Sequence, residues 1–324
     1  MRCLITGLAM VLMAPICVGT GRAPDAGCTI AHYRVIELPL LPAAINDAGE
    51  VVGTTPSHRA AIWTARLGLR ELPMPAEFEH SEAFAVNARG HVVGMLFDRS
   101  FQKRQPFIFV NGSLTVLPGD HAKAKRISNT DDVAGEAVLA GKQRSEPVVW
   151  THHGIHPLEN CCGGSIEHID DNGDATGDAY DEQGRYYAYM WNPSRGMYRI
   201  GPPEGYSNAV AANDRGHVIV EAVAKVFLYA DATLTRLDLA PKHPSHPHAI
   251  NDCDMVVGYF GPFSDAGRAF AWDRATGFQD LNTRIRSESG WKLEAAADIN
   301  NRGDIVGKGD PPGKDETGFL LIAE

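Results

Sequence analysis

What this sequence has little of narrows the field first. Only 22% of its 324 residues are charged, and acids outnumber bases, 40 to 30, for a formal net charge of −10. A nucleic-acid binder needs a basic footprint, so no nucleic-acid partner is expected. Past the N-terminus no apolar run approaches the roughly 18 residues that would span a bilayer. The six cysteines show no CxxC or Cys/His spacing of a zinc site. GxSxG, HExxH, Walker and GxGxxG signatures are all missing, which lowers hydrolase and nucleotide readings and leaves no cofactor expected. In their place stand 33 glycines and 20 prolines beside 44% hydrophobic residues. That mixture suits a chain that turns often around a sizeable core.

The N-terminus reads as a targeting segment. Met1-Arg2 precedes an apolar stretch from Cys3 to Val18, and small residues follow. This is the pattern of a secretory signal peptide over residues 1–23, with the boundary between 19 and 26. A tail over 24–32 would then lead into one domain over 33–324. The expected location is secreted or periplasmic, with no membrane span after cleavage. Cys28, Cys161, Cys162 and Cys253 would remain, in a compartment that permits disulfides and with three pairings open.

One unit recurs along the chain. Ile45-Asn46-Asp47-Ala48-Gly49-Glu50-Val51-Val52-Gly53 is followed by copies centred on Asn87, Ser128, Asp170, Asn213, Asn251 and Asn300, about 40 residues apart and 49 before the last. Each reads as a hairpin: an apolar strand, an Asn or Asp whose side chain bonds back to the turn, a Gly that supplies positive φ, and a Val-Val return strand. A third strand then ends at Trp63, Phe109, Trp150, Trp191, Tyr229, Trp272 or Leu321, and a further apolar anchor follows in all but the seventh unit. Four short strands in about 40 residues is the size of a propeller blade.

The ends decide the closure. The seventh unit stops at Phe319-Leu320-Leu321-Ile322 without its fourth strand, while Tyr33-Arg34-Val35-Ile36-Glu37-Leu38-Pro39 precedes the first unit and matches Gly68–Pro73. The orphan strand fills the vacancy and leaves no open seam. The expected fold is all-β: a seven-bladed β-propeller of four-stranded blades, its ring closed by an N-terminal strand that completes the last blade.

The pattern Ala-Ile-Asn-Asp-x-Gly-x-Val-Val-Gly, followed by Arg268-Ala269-Phe270-Ala271-Trp272, resembles the HAF repeats of bacterial extracellular proteins. The resemblance implies an exported repeat protein and carries no reaction or catalytic residue to transfer. At the position of the family's initial His this chain has Arg59, Gln105, Glu146, Tyr187, Lys225, Arg268 and Thr317.

The repeat turns are tight and uniform, and the loops that open on the other face vary. Variable loops on a rigid scaffold are where binding usually resides. Candidates there are His80, Lys123, Lys125, Arg126, Glu159, Tyr206, His243, His246, His248, Arg284 and Arg286. His243, His246 and His248 are spaced closely enough to suggest Zn or Cu, but no carboxylate in the segment would orient them. They read as a solvated loop. The basic run Lys123 to Arg126 could meet an anionic glycan or phosphate, and otherwise reads as a salt-bridged or solvated loop. No metal site is expected. Asp170, Asn172 and Asp174 spell a calcium-like DxNxD turn, yet sister turns place Ala48 or Arg89 among the equivalent positions. The leading functional expectation is a monomeric, non-catalytic binding module for a glycan or protein. A polysaccharide hydrolase or lyase with an axial site is the alternative, and a structural or adhesive surface module the third.

Overall fold

A computed structural model describes residues 32–158, 163–203, 205–223, 225–240, 243–262 and 267–324. The expected signal peptide, Cys28, Glu159, Cys161 and Cys162 lie outside the described residues. Among those described, the strands form seven four-stranded antiparallel sheets, the blades of a β-propeller. The inner strands are Leu41–Ile45, His80–Val86, Asp120–Ile127, Gly164–Ile169, Ser207–Ala212, Ser245–Ile250 and Lys292–Ile299. Each touches the inner strand of both neighbouring blades around the axis. No helix among the described residues is long and apolar enough to cross a membrane.

The closure has the expected register. Tyr33–Leu38 lies outermost in blade 7 and pairs antiparallel with Thr317–Ala323, from Tyr33 opposite Ala323 to Leu38 opposite Gly318. Tyr33 and Leu38 are buried at 1% and 0% exposure. The N-terminal strand is therefore an integral part of blade 7.

The core is seven apolar layers, one at each junction between blades. Leu38, Ile45, Val51, Val306 and Leu320 fill the junction between blades 7 and 1, and Leu72, Phe78, Leu96 and Phe107 that between blades 1 and 2. The third-strand aromatic always faces the first residue of the return strand, as Trp63 faces Val51 and Trp272 faces Val256. Fully burying one such side chain stabilises the fold by about 1.5–3 kcal/mol.

The glycine that follows Val-Val has a separate cause. Every inner strand bulges, at two places in blades 3 and 7, and that glycine faces a bulge. A Cβ at Gly94 would sit 1.9 Å from the Glu82 carbonyl oxygen, and one at Gly177 would sit 2.0 Å from that of Ser165. Blade 5 alone places a side chain there, Val220.

Candidate functional site

Every repeat turn closes on its own first side chain. The Asn46 Oδ1 accepts from the N–H groups of Ala48 and Glu50 at 3.1 and 3.0 Å, and Asn87, Asp170, Asn213, Asn251 and Asn300 repeat both bonds. The Ser128 hydroxyl does the same work in blade 3. The amide of Asn adds a bond that Asp cannot make. Asn46, Asn87, Asn213, Asn251 and Asn300 each donate through Nδ2 to the carbonyl of the corresponding residue in the next blade, at 2.8–3.1 Å. Ser128 and Asp170 have no amide, so this bridge is missing from blade 3 to 4 and from blade 4 to 5.

The apparently degenerate turns carry compensating contacts. Asp131 and Asp254 stand where other turns have Gly and adopt φ of 73° and 60°. The Asp131 carboxylate meets His91 at 2.8 Å and Arg89 at 2.7 Å from blade 2, and Asp254 meets the buried His217 of blade 5 at 2.6 Å. The DxNxD turn makes the common turn pattern, with Asp170 accepting from Asn172 and Asp174 N–H groups. Among the described residues no group of three His, Cys, Asp or Glu is placed to hold a metal. Cys253 is disulfide-bonded.

On the loop face the structure rearranges the expected candidates. Lys123, Lys125 and Arg126 sit on the inner strand of blade 3, away from any loop, because this strand starts at Asp120. The Lys123 ammonium lies 5.5 Å from the Phe84 ring centroid, Lys125 pairs with Glu167, and Arg126 faces the axial cavity. His246 and His248 belong to the inner strand of blade 6. Both pack on Tyr259, with ring centroids 4.6 and 5.4 Å away, and the His248 Nδ1 bonds the Ala296 carbonyl. His243 alone is exposed, 5.9 Å from Phe260. Prolines at 244 and 247 keep this segment extended, which suits a strand as well as a loop.

His80 stacks on Phe101 at 4.6 Å, with His58 edge-on at 5.5 Å. Tyr206 is 65% exposed. Arg284 and Arg286 leave the loop face altogether. Their segment runs back along blade 7, where the Arg284 carbonyl accepts the Tyr33 N–H at 2.8 Å and Arg286 reaches Glu324 at 3.6 Å. They fasten the closure strand.

A concavity on the loop face lies between blades 3 and 4, with a volume of about 720 Å³. Its walls include Lys125, Glu136, Arg144, Glu167, Tyr180 and Tyr186. Glu167 accepts from Lys125 and from the Ser165 hydroxyl, the latter at 2.7 Å. Behind Tyr186, the Asp178 carboxylate accepts the phenol O–H at 2.9 Å and the Ala209 N–H of blade 5 at 2.7 Å. Burial still pushes the Asp178 carboxyl up to about 7 and raises the Tyr186 phenol. Tyr180 and Tyr186 stand 5.0 Å apart, and Tyr180 is 38% exposed. The Arg144, Tyr180 and Tyr186 positions fall outside the sequence-derived candidates. A signal was present: the second and third strands of blade 4 read Ala179-Tyr180 and Tyr186-Tyr187 on either side of a short loop.

Comparison with known proteins adds the fold and little else. No family model matches the chain, and no curated protein does. Solved propellers do. The chain superposes on the β-propeller domain of the Trilobed protease from Pyrococcus furiosus with a TM-score of 0.60 at 9% identity, over 90% of this chain and 96% of that one. Virginiamycin B lyase from Staphylococcus aureus matches with 0.56 at 12% identity, covering 90% and 99%. A structure of YCF48 bound to D1 peptide matches with 0.54 at 11% identity, covering 91% and 98%. At such identities the likeness is one of architecture.

Proposed function

We propose that this protein is an exported binding module of HAF-repeat type that grips an extended ligand, a glycan or a protein segment, on its loop face. The cleft between blades 3 and 4 carries this reading. It combines two tyrosine faces with an arginine and carboxylates, the aromatic-plus-polar lining of a recognition site. The exposed apolar residues agree: Leu41, Phe101, Tyr180, Tyr206 and Val223 are five of the eight large exposed ones, and all five lie at loop-face ends or in loop-face loops. Among the described residues the outer strands show only Leu69 and Val116, with Leu67 in the turn beside them, which disfavours an adhesive side wall.

The test is binding of the mature protein to arrays of polysaccharides and peptides. Capture should be lost with Tyr180→Ala and weakened with Arg144→Ala. Capture unchanged in both variants would move the site elsewhere.

One observation favours a second reading. Asp178, raised to about 7, sits behind Tyr186 at a cleft wall shared with Glu167, and a carboxyl near neutrality beside a phenol is suited to acid–base chemistry. Proteins of this architecture include a lyase. New reducing or unsaturated ends, lost in Asp178→Asn and Tyr186→Phe, would establish cleavage over simple binding.

A further inference from the structure

The opposite face of the ring has its own concavity, around the axis, which the binding reading does not use. The second residues of the repeat turns gather there: Asp47, Asp171, Asp214 and Asp252, with Asn129 and Asn301 between them. Apart from Asp214, each of these side chains accepts a backbone N–H from the turn of the preceding blade, Asn129 that of Ala88 at 2.8 Å. Asn129 donates to Asp171 at 2.6 Å, Asp214 to Asp252 at 3.0 Å, Asp252 to Asn301 at 2.9 Å and Asn301 to Asp47 at 2.8 Å. Among the described hydrogen bonds two steps are missing: the one from Asp47 to blade 2, where Ala88 has no polar side chain to accept it, and the one from Asp171 to Asp214, where a carboxylate is present. The latter falls at the junction of blades 4 and 5, which also lacks the amide bridge.

A second, independent observation marks the same step. The His168 Nε2 is buried with no hydrogen-bond partner and points to the rim, 3.9 Å from the Asp214 Oδ1. The cavity it faces has a volume of about 240 Å³, with Arg126 and Asp298 lower on its wall. Burial, followed by the charge of Arg126, pushes His168 down to about 4, so the ring is neutral at neutral pH and one nitrogen is an acceptor. Partial burial, then the charges of Asp252, Asp171, Asp170 and Asp47, push Asp214 up to about 6. Anionic groups here repel one another. Two cations approach without pairing with the rim carboxylates: Arg126 donates to the Lys125 carbonyl and Arg215 to the Asp252 carbonyl, each at 3.0 Å.

An anionic rim beside a buried imidazole nitrogen with no hydrogen-bond partner suits a donor that carries positive charge. We propose that the axial rim binds a primary ammonium or guanidinium group, held by Asp171 and Asp214 with the His168 Nε2 accepting a further N–H. A metal ion fits less well. It needs several oxygens within about 2.6 Å, whereas Asp171 already accepts the backbone N–H and the side-chain amide of Asn129 and no three ligands converge among the described residues. Cationic N–H donors act at about 2.7–2.9 Å and tolerate a wider ring. The group could be carried by a free polyamine or by a lysine or arginine side chain.

Calorimetric titration at low salt distinguishes these sources. The probes are spermidine, N-acetyl-lysine amide, N-acetyl-arginine amide, calcium chloride and tetramethylammonium, which has charge but no N–H. Saturable binding of an N–H cation and none of tetramethylammonium is expected. Asp214→Asn and His168→Gln should each weaken it about 10-fold, equivalent to about 1.4 kcal/mol. Tyr180→Ala, in the other face's cleft, should leave it unchanged, so failure of one site does not count against the other. Asp171→Asn carries the same expectation as Asp214→Asn should the latter fail to fold. Spermidine binding alone assigns a free polyamine, and binding of the amino-acid amides assigns a protein side chain. No saturable binding, preference for calcium, equal binding of tetramethylammonium, or indifference to both substitutions would each overturn the proposal.

Discussion

The two faces of this ring follow different rules. On the turn face seven nearly identical turns close on their own first side chain, and most are laced to the next blade by an asparagine amide or a carboxylate. On the loop face the connections differ in length and composition and leave Leu41, Phe101, Tyr180, Tyr206 and Val223 exposed. A repeated side chain can satisfy a repeated backbone only where the backbone repeats, so uniformity on one face frees the other to vary. The regular face also has its exception. Ser128 and Asp170 interrupt the amide lacing around blades 3 to 5, which supply the charged groups of the loop-face cleft and Arg126, Asp171 and Asp214 of the axial concavity. Contacts of another kind hold these junctions: Lys125 to Glu167, and the Asp178 carboxylate to the Ala209 N–H.

The contrast can be broken at several strengths. Removing Tyr33–Pro39 takes away a strand that serves blade 7 and the core between blades 7 and 1. The cooperative melting transition should vanish, as followed by circular dichroism, and the isolated peptide added in trans should restore part of it. Persistence of the wild-type transition would refute closure by this strand. Gly94→Ala comes next, since its Cβ has nowhere to go between the Glu82 carbonyl and the Phe107 ring. Urea unfolding should show a loss of about 2–4 kcal/mol. A turn-face latch is weaker. Asp254→Ala leaves His217, only 5% exposed, without its partner, and should cost about 1–3 kcal/mol.

The pH dependence separates two junction residues by sign. His168 is lowered in the fold, so the unfolded chain binds more protons between about pH 4 and 6.5, and this group makes stability rise with pH across that window. Asp178 is raised, so the folded chain binds more protons between about pH 4 and 7, and stability falls as that carboxyl ionises. The two oppose each other in the wild-type protein. Stability measured against pH should slope more upward in Asp178→Asn and more downward in His168→Gln. Equal slopes in both variants would show that neither group titrates as the fold implies. The smallest change in stability is expected on the loop face, where Tyr206→Ala should stay within about 0.5 kcal/mol of wild type. A larger loss would mean that this ring is structural.

Much of the architecture was legible in the chain. Blade number, strand count, the aromatic ends of the third strands and the closing strand all follow from a period written seven times with a complementary pair of ends. The site was legible only in part. Lys125 and Arg126 look like members of a basic loop until the strand from Asp120 to Ile127 sets them beside Glu167 and the axis. Arg284 and Arg286 follow an outer strand and belong by spacing to the loop face, yet their segment folds back to meet Tyr33 and Glu324. Asn and Asp are also equivalent as turn formers in sequence, and only neighbouring blades reveal that the amide does a second job.

By itself, then, the sequence determined the unit, the number of units and the way the ring closes, because local turn chemistry and hydrophobic alternation act within about 40 residues of chain. Tertiary structure alone decided which polar groups face one another. His168 with Asp214, Lys125 with Glu167 and Asp178 with Ala209 are contacts between blades. Their geometry is set by the radius of the ring and the bulge of each inner strand, neither of which a single repeat encodes.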